Sequence, residues 1–167
     1  MSNITAKNVQ IAEPTSSDTG DIYGLIGQCP PLDQNSIYCN FIQAEHFSRT
    51  SAIAFGPGNE AIGFVSGFAI PERPHHLFVW QVAVSEKARG IGLAKQMVYD
   101  IVARPATVPF VFIEATIAEE NAASWALFGK ISKEYGAPLK TIKRLRGDHV
   151  FNGEQPSEML IGIGPLA

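Results

Sequence analysis

The chain has 167 residues, enough for one domain whose core removes roughly two thirds of the unfolded surface from water, so no second core is expected. Hydrophobic residues make up 46% and charged ones 17%, the net charge is −3 and no Lys/Arg cluster occurs, which argues against nucleic acid as a partner and suits a cationic small substrate. No apolar run nears the ~18 residues of a membrane span, and Met1 to Thr19 lacks the basic-then-apolar pattern of a secretion signal, so a cytoplasmic location is expected.

Ile4 to Ala12 alternates loosely and predicts a first strand, ended by Glu13-Pro14. A helix follows, capped by Ser17 or Asp18, with Ile22, Leu25 and Ile26 as its apolar stripe and Gly27 as its stop. Cys29 to Ser36 is a loop stiffened by Pro30-Pro31, and Asp33 and Ser36 can each cap the next helix, Ile37 to Phe47. Cys29 and Cys39 have neither metal-site nor redox-pair spacing and read as reduced; Cys29 is a small buried hydrophobe or a group that approaches a substrate. Ser51 to Phe55 and Ala61 to Ile70 are strands joined by the turn Gly56-Pro57-Gly58-Asn59. Pro71 to His76 reads as a loop whose two histidines lack a partner at metal-ligand spacing, so no metal is expected. Leu77 to Val84 is the most apolar strand.

A helix over Gly92 to Val102 carries Leu93, Met97, Val98, Ile101 and Val102 at a 3.6-residue period, and Pro105 and Pro109 end it. Phe110 to Ile117 is an apolar strand into which one charge, Glu114, intrudes. Asn121 can cap a helix over Ala122 to Tyr135, closed by Gly136-Ala137-Pro138. Two last strands, Lys140 to Leu145 and Glu158 to Ile163, flank the polar loop Arg146 to Ser157. Strands and helices mixed in this order predict an α+β fold with helices on both faces of a central sheet.

The segment Val82 to Lys95 passes from a buried strand through a polar turn into a glycine loop and a helix. Gly90 and Gly92 admit a ligand close to the backbone, and the helix that opens near Leu93 leaves its first amide groups free to face a pyrophosphate. A dinucleotide fingerprint would need glycine where Lys95 stands; a P-loop is excluded because its second glycine, five residues after Gly90, would fall on the same Lys95, and Ala94 precedes it. What remains is Arg89-x-x-Gly92-x-Ala94, which resembles the Q/R-x-x-G-x-G/A motif of the GNAT superfamily of N-acetyltransferases.

The order of elements along nearly the whole chain is also similar to the GNAT fold, a mixed twisted sheet. The resemblance implies acetyl-CoA as co-substrate: the backbone of Val82, Ala83 and Val84 would pair with the pantetheine arm, and Arg89, Gly90, Ile91, Gly92, Leu93 and Ala94 would hold the pyrophosphate. Asn121 stands where the family places a coenzyme-contacting Asn; a plain helix cap is the other reading. Phe128 occupies the place where many members carry a Tyr that protonates the departing thiolate.

Four further segments, Cys29 to Tyr38, Gly63 to Gly67, Leu77 to Val84 and Ile163 to Leu166, resemble the diaminobutyrate acetyltransferase branch of that superfamily, which serves ectoine biosynthesis and hence osmoprotection. Where that branch commonly has a His before Glu158, this chain reads Gln155-Pro156-Ser157. The implied reaction is acetylation of the γ-amine of L-2,4-diaminobutyrate by direct attack in a ternary complex, in a homodimer. An alkyl ammonium with a pKa of about 10.4 must bind, lose a proton and attack, so carboxylates matter. Asp33, Glu114 and Glu158 are the candidates. Burial would suit Glu114 to a base, with a structural ion pair as its other reading; Asp33 and Glu158 would grip the ammonium groups, and Tyr38, Trp80 and Gln81 would shape the pocket. Acetylation of another small amine or polyamine, or coenzyme binding without turnover, are the alternatives.

Overall fold

The computed structural model describes residues 4–105 and 108–166. The expectations for Met1 to Thr19 and for one domain over 1–167 therefore lie in part outside the described residues. Two compact units are present: the described chain up to Phe68 together with Val79–Pro105, and Ala69–Phe78 together with the described residues from 108 onward.

In the first unit the strand order is β1 (Gln10–Ala12), β2 (Ala52–Phe55), β3 (Ala61–Ile70) and β4 (Arg73–Val84), the last residues of β3 and the first of β4 belonging to the second unit. β1 and β2 pair antiparallel with Ile11 opposite Ala54, and β2 and β3 antiparallel with Ile53 opposite Phe64. On one face, Ile22, Leu25 and Ile26 of α1 (Thr19–Gly27) and Ala44 of α2 (Ile37–Glu45) form a core with Ile53, Phe64 and Ala83. Each of the Ile, Leu and Phe side chains among them contributes about 1.5–3 kcal/mol by leaving water. Gly63 neighbours Phe64 and so faces the other way, toward α3 (Leu93–Ala103); a Cβ there would stand 2.9 Å from Met97 Cε. Helices thus cover both faces of these strands, as the element order predicts.

In the second unit the order is β4, β5 (Phe112–Ala118), β7 (Glu158–Ile163), β6 (Leu139–Leu145). β5 runs parallel to β4, with Phe78 beside Glu114, and antiparallel to β7, with Glu114 opposite Gly162. Ile113, Ile117, Ile161 and Ile163 are buried, as are Phe128 and Ile131 of α4 (Ala122–Tyr135). Gly136, at φ 61, ends α4 in the left-handed conformation that glycine adopts without steric cost.

Local hydrogen bonds decide where the observed elements depart from expectation. The first strand is only Gln10–Ala12, because the Thr5 amide donates to Asn8 Oδ1 at 2.8 Å and winds Ala6–Asn8 into a 3₁₀ turn. Asp18 stands at the N-cap of α1, as expected, but its side chain caps no amide of that helix; its Oδ2 accepts from the Thr15 amide at 2.7 Å across the 3₁₀ turn Ser16–Asp18. Ser36 caps α2 as expected, its hydroxyl accepting from the Cys39 amide at 3.1 Å. Pro71 to His76 is not a loop. Only Pro71 and Glu72 turn, and β4 starts at Arg73, held by the Val111 amide on the His75 carbonyl at 2.9 Å. Within Arg146 to Ser157 one turn is helical, α5 (Gly147–Val150).

Candidate functional site

Val84 ends β4, and the Ser85 amide donates to the Ile62 carbonyl at 2.9 Å, fixing where the chain leaves the sheet. A 3₁₀ turn, Glu86–Ala88, buries Ala88 and leaves Arg89 exposed. Gly90 and Gly92 then take φ of 81 and 77, a region costing any other L-residue about 1–2 kcal/mol. Gly92 is the N-cap of α3, and Leu93 beside it is buried, so the loop is anchored from below while both glycines remain open to solvent. Amides at a helix start that follow an exposed arginine in the chain are the chemistry an anion would use. Every residue assigned to the pyrophosphate, Arg89 to Ala94, lies on this one turn of chain.

On β4, Trp80 is 45% exposed, whereas Gln81 is buried at 8% and Ala83 is fully buried, the alternation of a strand with one face against a core. Gln81 Nε2 donates to the Asp33 carbonyl at 3.1 Å, and Gln81 Oε1 accepts from Asn35 Nδ2 at 3.4 Å. The loop bearing Asp33 is therefore tied to the strand assigned to the pantetheine arm. Tyr38 is 68% exposed at the start of α2, its ring tilted against that of Phe41 with centroids 5.6 Å apart. Cys29 is buried in the first unit's core with its Sγ 3.5 Å from the Val84 carbonyl. Burial pushes its thiol up, with the Arg89 guanidinium acting the other way.

The other candidates lie in the second unit. Asn121 caps α4, its Oδ1 accepting from the Ser124 amide at 3.1 Å, and Phe128, two turns on, is buried and brings no hydroxyl. Glu158 opens β7 half-buried, opposite Ala118 at the end of β5. Glu114 is 2% exposed and spends both oxygens: Oε2 lies 3.1 Å from Arg73 Nη2 and Oε1 2.6 Å from His76 Nδ1. His76 in turn stacks on Phe112 with ring centroids 4.4 Å apart. Arg73 and His76, expected in a loop, lie in β4 instead and are the partners of Glu114. The only sequence signal was an unexplained charge in an apolar strand; its partners sit 41 and 38 residues away. Along β7, Glu158 and the partner of Glu114, Gly162, are four residues or about 13 Å apart. Since Glu114 is also drawn toward Phe112 and away from Ala118, the two carboxylates do not converge on one atom.

Among the described residues no group of His, Cys, Asp or Glu could hold a metal ion, and no helix is long and apolar enough to cross a membrane.

The sequence model of the Acetyltransferase (GNAT) family matches residues 21–132. The L-2,4-diaminobutyric acid acetyltransferase of Methylotuvimicrobium alcaliphilum is 45% identical over 158 residues, covering 95% of this chain and 91% of that protein. That of Vibrio parahaemolyticus is 44% identical over 151 residues, covering 90% and 83%. Among solved structures, the diaminobutyrate acetyltransferase EctA from Paenibacillus lautus, in complex with L-2,4-diaminobutyric acid and coenzyme A, superposes with a TM-score of 0.87 at 33% identity, covering 94% of this chain and 95% of that one.

Proposed function

Because the chain belongs to the GNAT family of acetyltransferases, we propose that it transfers the acetyl group of acetyl-CoA to the γ-amine of L-2,4-diaminobutyrate. The observation that carries this reading is the likeness to diaminobutyrate acetyltransferases over nearly the full chain, at an identity well above that at which fold alone is shared. The left-handed glycines and exposed Arg89 support the coenzyme half of the assignment.

The neutral amine attacks the thioester carbonyl, the C–N bond forms, and the C–S bond then breaks with its electron pair on sulfur. Backbone amides of Val82, Ala83 and Val84 polarise the carbonyl and pair with the pantetheine arm, while Arg89 to Ala94 hold the pyrophosphate and Asn121 adds a contact to the coenzyme. Asp33 and Glu158 take the substrate's ammonium groups, and Tyr38 and Trp80 shape the pocket. The amine's proton goes to Glu158 or through it to water; Glu114 would accept it only by giving up Arg73 or His76. Phe128 offers no proton, so the thiolate takes one from solvent, at modest cost because a thiol's pKa lies not far above neutrality.

The whole chain, 1–167, acts as one acetyltransferase domain, works in the cytoplasm where acetyl-CoA is available, forms a homodimer and supplies an ectoine precursor for osmoprotection. The test is thiol release from acetyl-CoA with L-2,4-diaminobutyrate, ornithine, lysine and spermidine at equal concentration. Selective turnover of diaminobutyrate is expected. Preference for another amine would reassign the substrate, and coenzyme binding with no turnover of any would remove the enzymatic reading.

A further inference from the structure

Gln81 is a polar side chain where β4 otherwise buries apolar ones. An amide costs free energy to bury unless hydrogen-bonded, so its two bonds identify what it is for. Both go to one loop, at points two residues apart: the Asp33 carbonyl at 3.1 Å and the Asn35 side chain at 3.4 Å. Strand alternation directs Gln81 to the face opposite Trp80 and Val82. With 8% exposure and its carbonyl and amide ends engaged, it has little left to offer a ligand.

The rest of the loop is fastened elsewhere. Gln34 Nε2 donates to the Tyr23 carbonyl of α1 at 3.0 Å, and Ser36 caps α2. Those bonds fix the loop to the helices, and Gln81 fixes it to the strand.

We propose that Gln81 is a positioning residue for diamine selectivity: its amide clamps the backbone of Asp33 to β4, so that the Asp33 carboxylate meets the substrate's ammonium at a set place. Gln81 itself does not touch the amine. This rests on the assignment of Asp33 to the diamine. The clamp acts through orientation, so its loss weakens amine binding and flattens the preference between diamines of different length, while the anion site on the glycine loop is untouched.

The experiment compares Gln81→Met, which keeps volume and removes both bonds, with Asn35→Ala, a milder change in case the first fails to fold. In Gln81→Met the KM for diaminobutyrate is expected to rise about tenfold, the loss of roughly one buried hydrogen bond, with the KM for acetyl-CoA changed less than about twofold. Asn35→Ala gives a smaller shift in the same direction. In an Asp33→Ala background Gln81→Met should add less than about twofold, because it acts through the group already removed. Amide exchange of the segment 29–36 should quicken in Gln81→Met without amine present, while that of α1 does not.

Full additivity with Asp33→Ala would overturn the proposal, as would unchanged exchange of the loop. If Asp33→Ala leaves the amine KM as it was, the substrate role of Asp33 fails and selectivity through it fails too, while quickened exchange would still show the clamp. The two failures are therefore told apart.

Discussion

Glu114 and Glu158 are carboxylates on neighbouring strands, and their surroundings give them different work. Glu114 is buried with both oxygens taken, and an amide in its place keeps one acceptor oxygen where His76 and Arg73 use two. Arg73 is half exposed, so its share is screened and small. The bond to His76 carries most of the cost. Glu114→Gln is expected to lower stability by about 1–2 kcal/mol, read as a fall in Tm of about 2–8 °C, with kcat at a temperature well below Tm within about threefold. A loss in kcat of about a hundredfold or more would instead make Glu114 the general base. For Glu158→Gln the expected result is the reverse pattern, a KM for the amine raised about tenfold or more and kcat lowered about a hundredfold with the proton acceptor gone, little change in the KM for acetyl-CoA and an unchanged Tm. Unaltered amine kinetics would take Glu158 out of the site. That Glu114 mattered was legible from a lone charge in an apolar strand. What it bonds to was not, because both partners come from a segment far off in sequence that reads as a loop.

Periodicity made α3 legible, since it buries a stripe that only a helix can assemble, and the capping Asn121 with Gly136-Ala137-Pro138 at the far end bounded α4. The same reasoning failed for the start of β4. Pro74 and two polar histidines look like loop, and only cross-strand partners such as the Val111 amide hold them extended. Glycines separate helix chemistry from loop chemistry. Gly129, exposed on α4 with no atom within 4 Å of an added Cβ, has no need of its freedom. Gly129→Ala should stabilise by about 0.5–1 kcal/mol, a rise in Tm of about 1–4 °C, with kinetics unchanged. Gly92, by contrast, caps α3 at φ 77. Gly92→Ala is expected to raise the KM for acetyl-CoA about tenfold, through about 1–2 kcal/mol of backbone strain at the anion site, and to leave the amine KM nearly as it was. Equal damage to both constants would mean that the loop governs more than the coenzyme.

For the molecule as a whole, coenzyme binding and folding are linked, and the sequence already held the coenzyme half of that link because the loop is contiguous. A ligand held only by the folded chain adds RT ln(1 + [L]/Kd), about 2.7 kcal/mol at a hundredfold excess over Kd, which moves Tm by about 5–11 °C for a protein of this size. Cys29 reports the same linkage without heat. It is 3% exposed, and burial raises its thiol above the ordinary range. The folded chain therefore keeps this proton while the unfolded thiol ionises, so as pH climbs from the ordinary thiol value through the folded one, native stability falls. Near pH 8 the native chain thus presents less thiolate than the unfolded chain, and alkylation of Cys29 must wait for the core to open. Acetyl-CoA at a hundredfold excess is expected to slow that alkylation by about a hundredfold, followed by mass spectrometry of the Cys29 peptide. A rate indifferent to acetyl-CoA while Tm still rises would mean that Cys29 is reached by an opening that leaves the glycine loop formed. The first unit would then be less cooperative than its shared core of Ile22, Leu25, Phe64 and Ala83 implies.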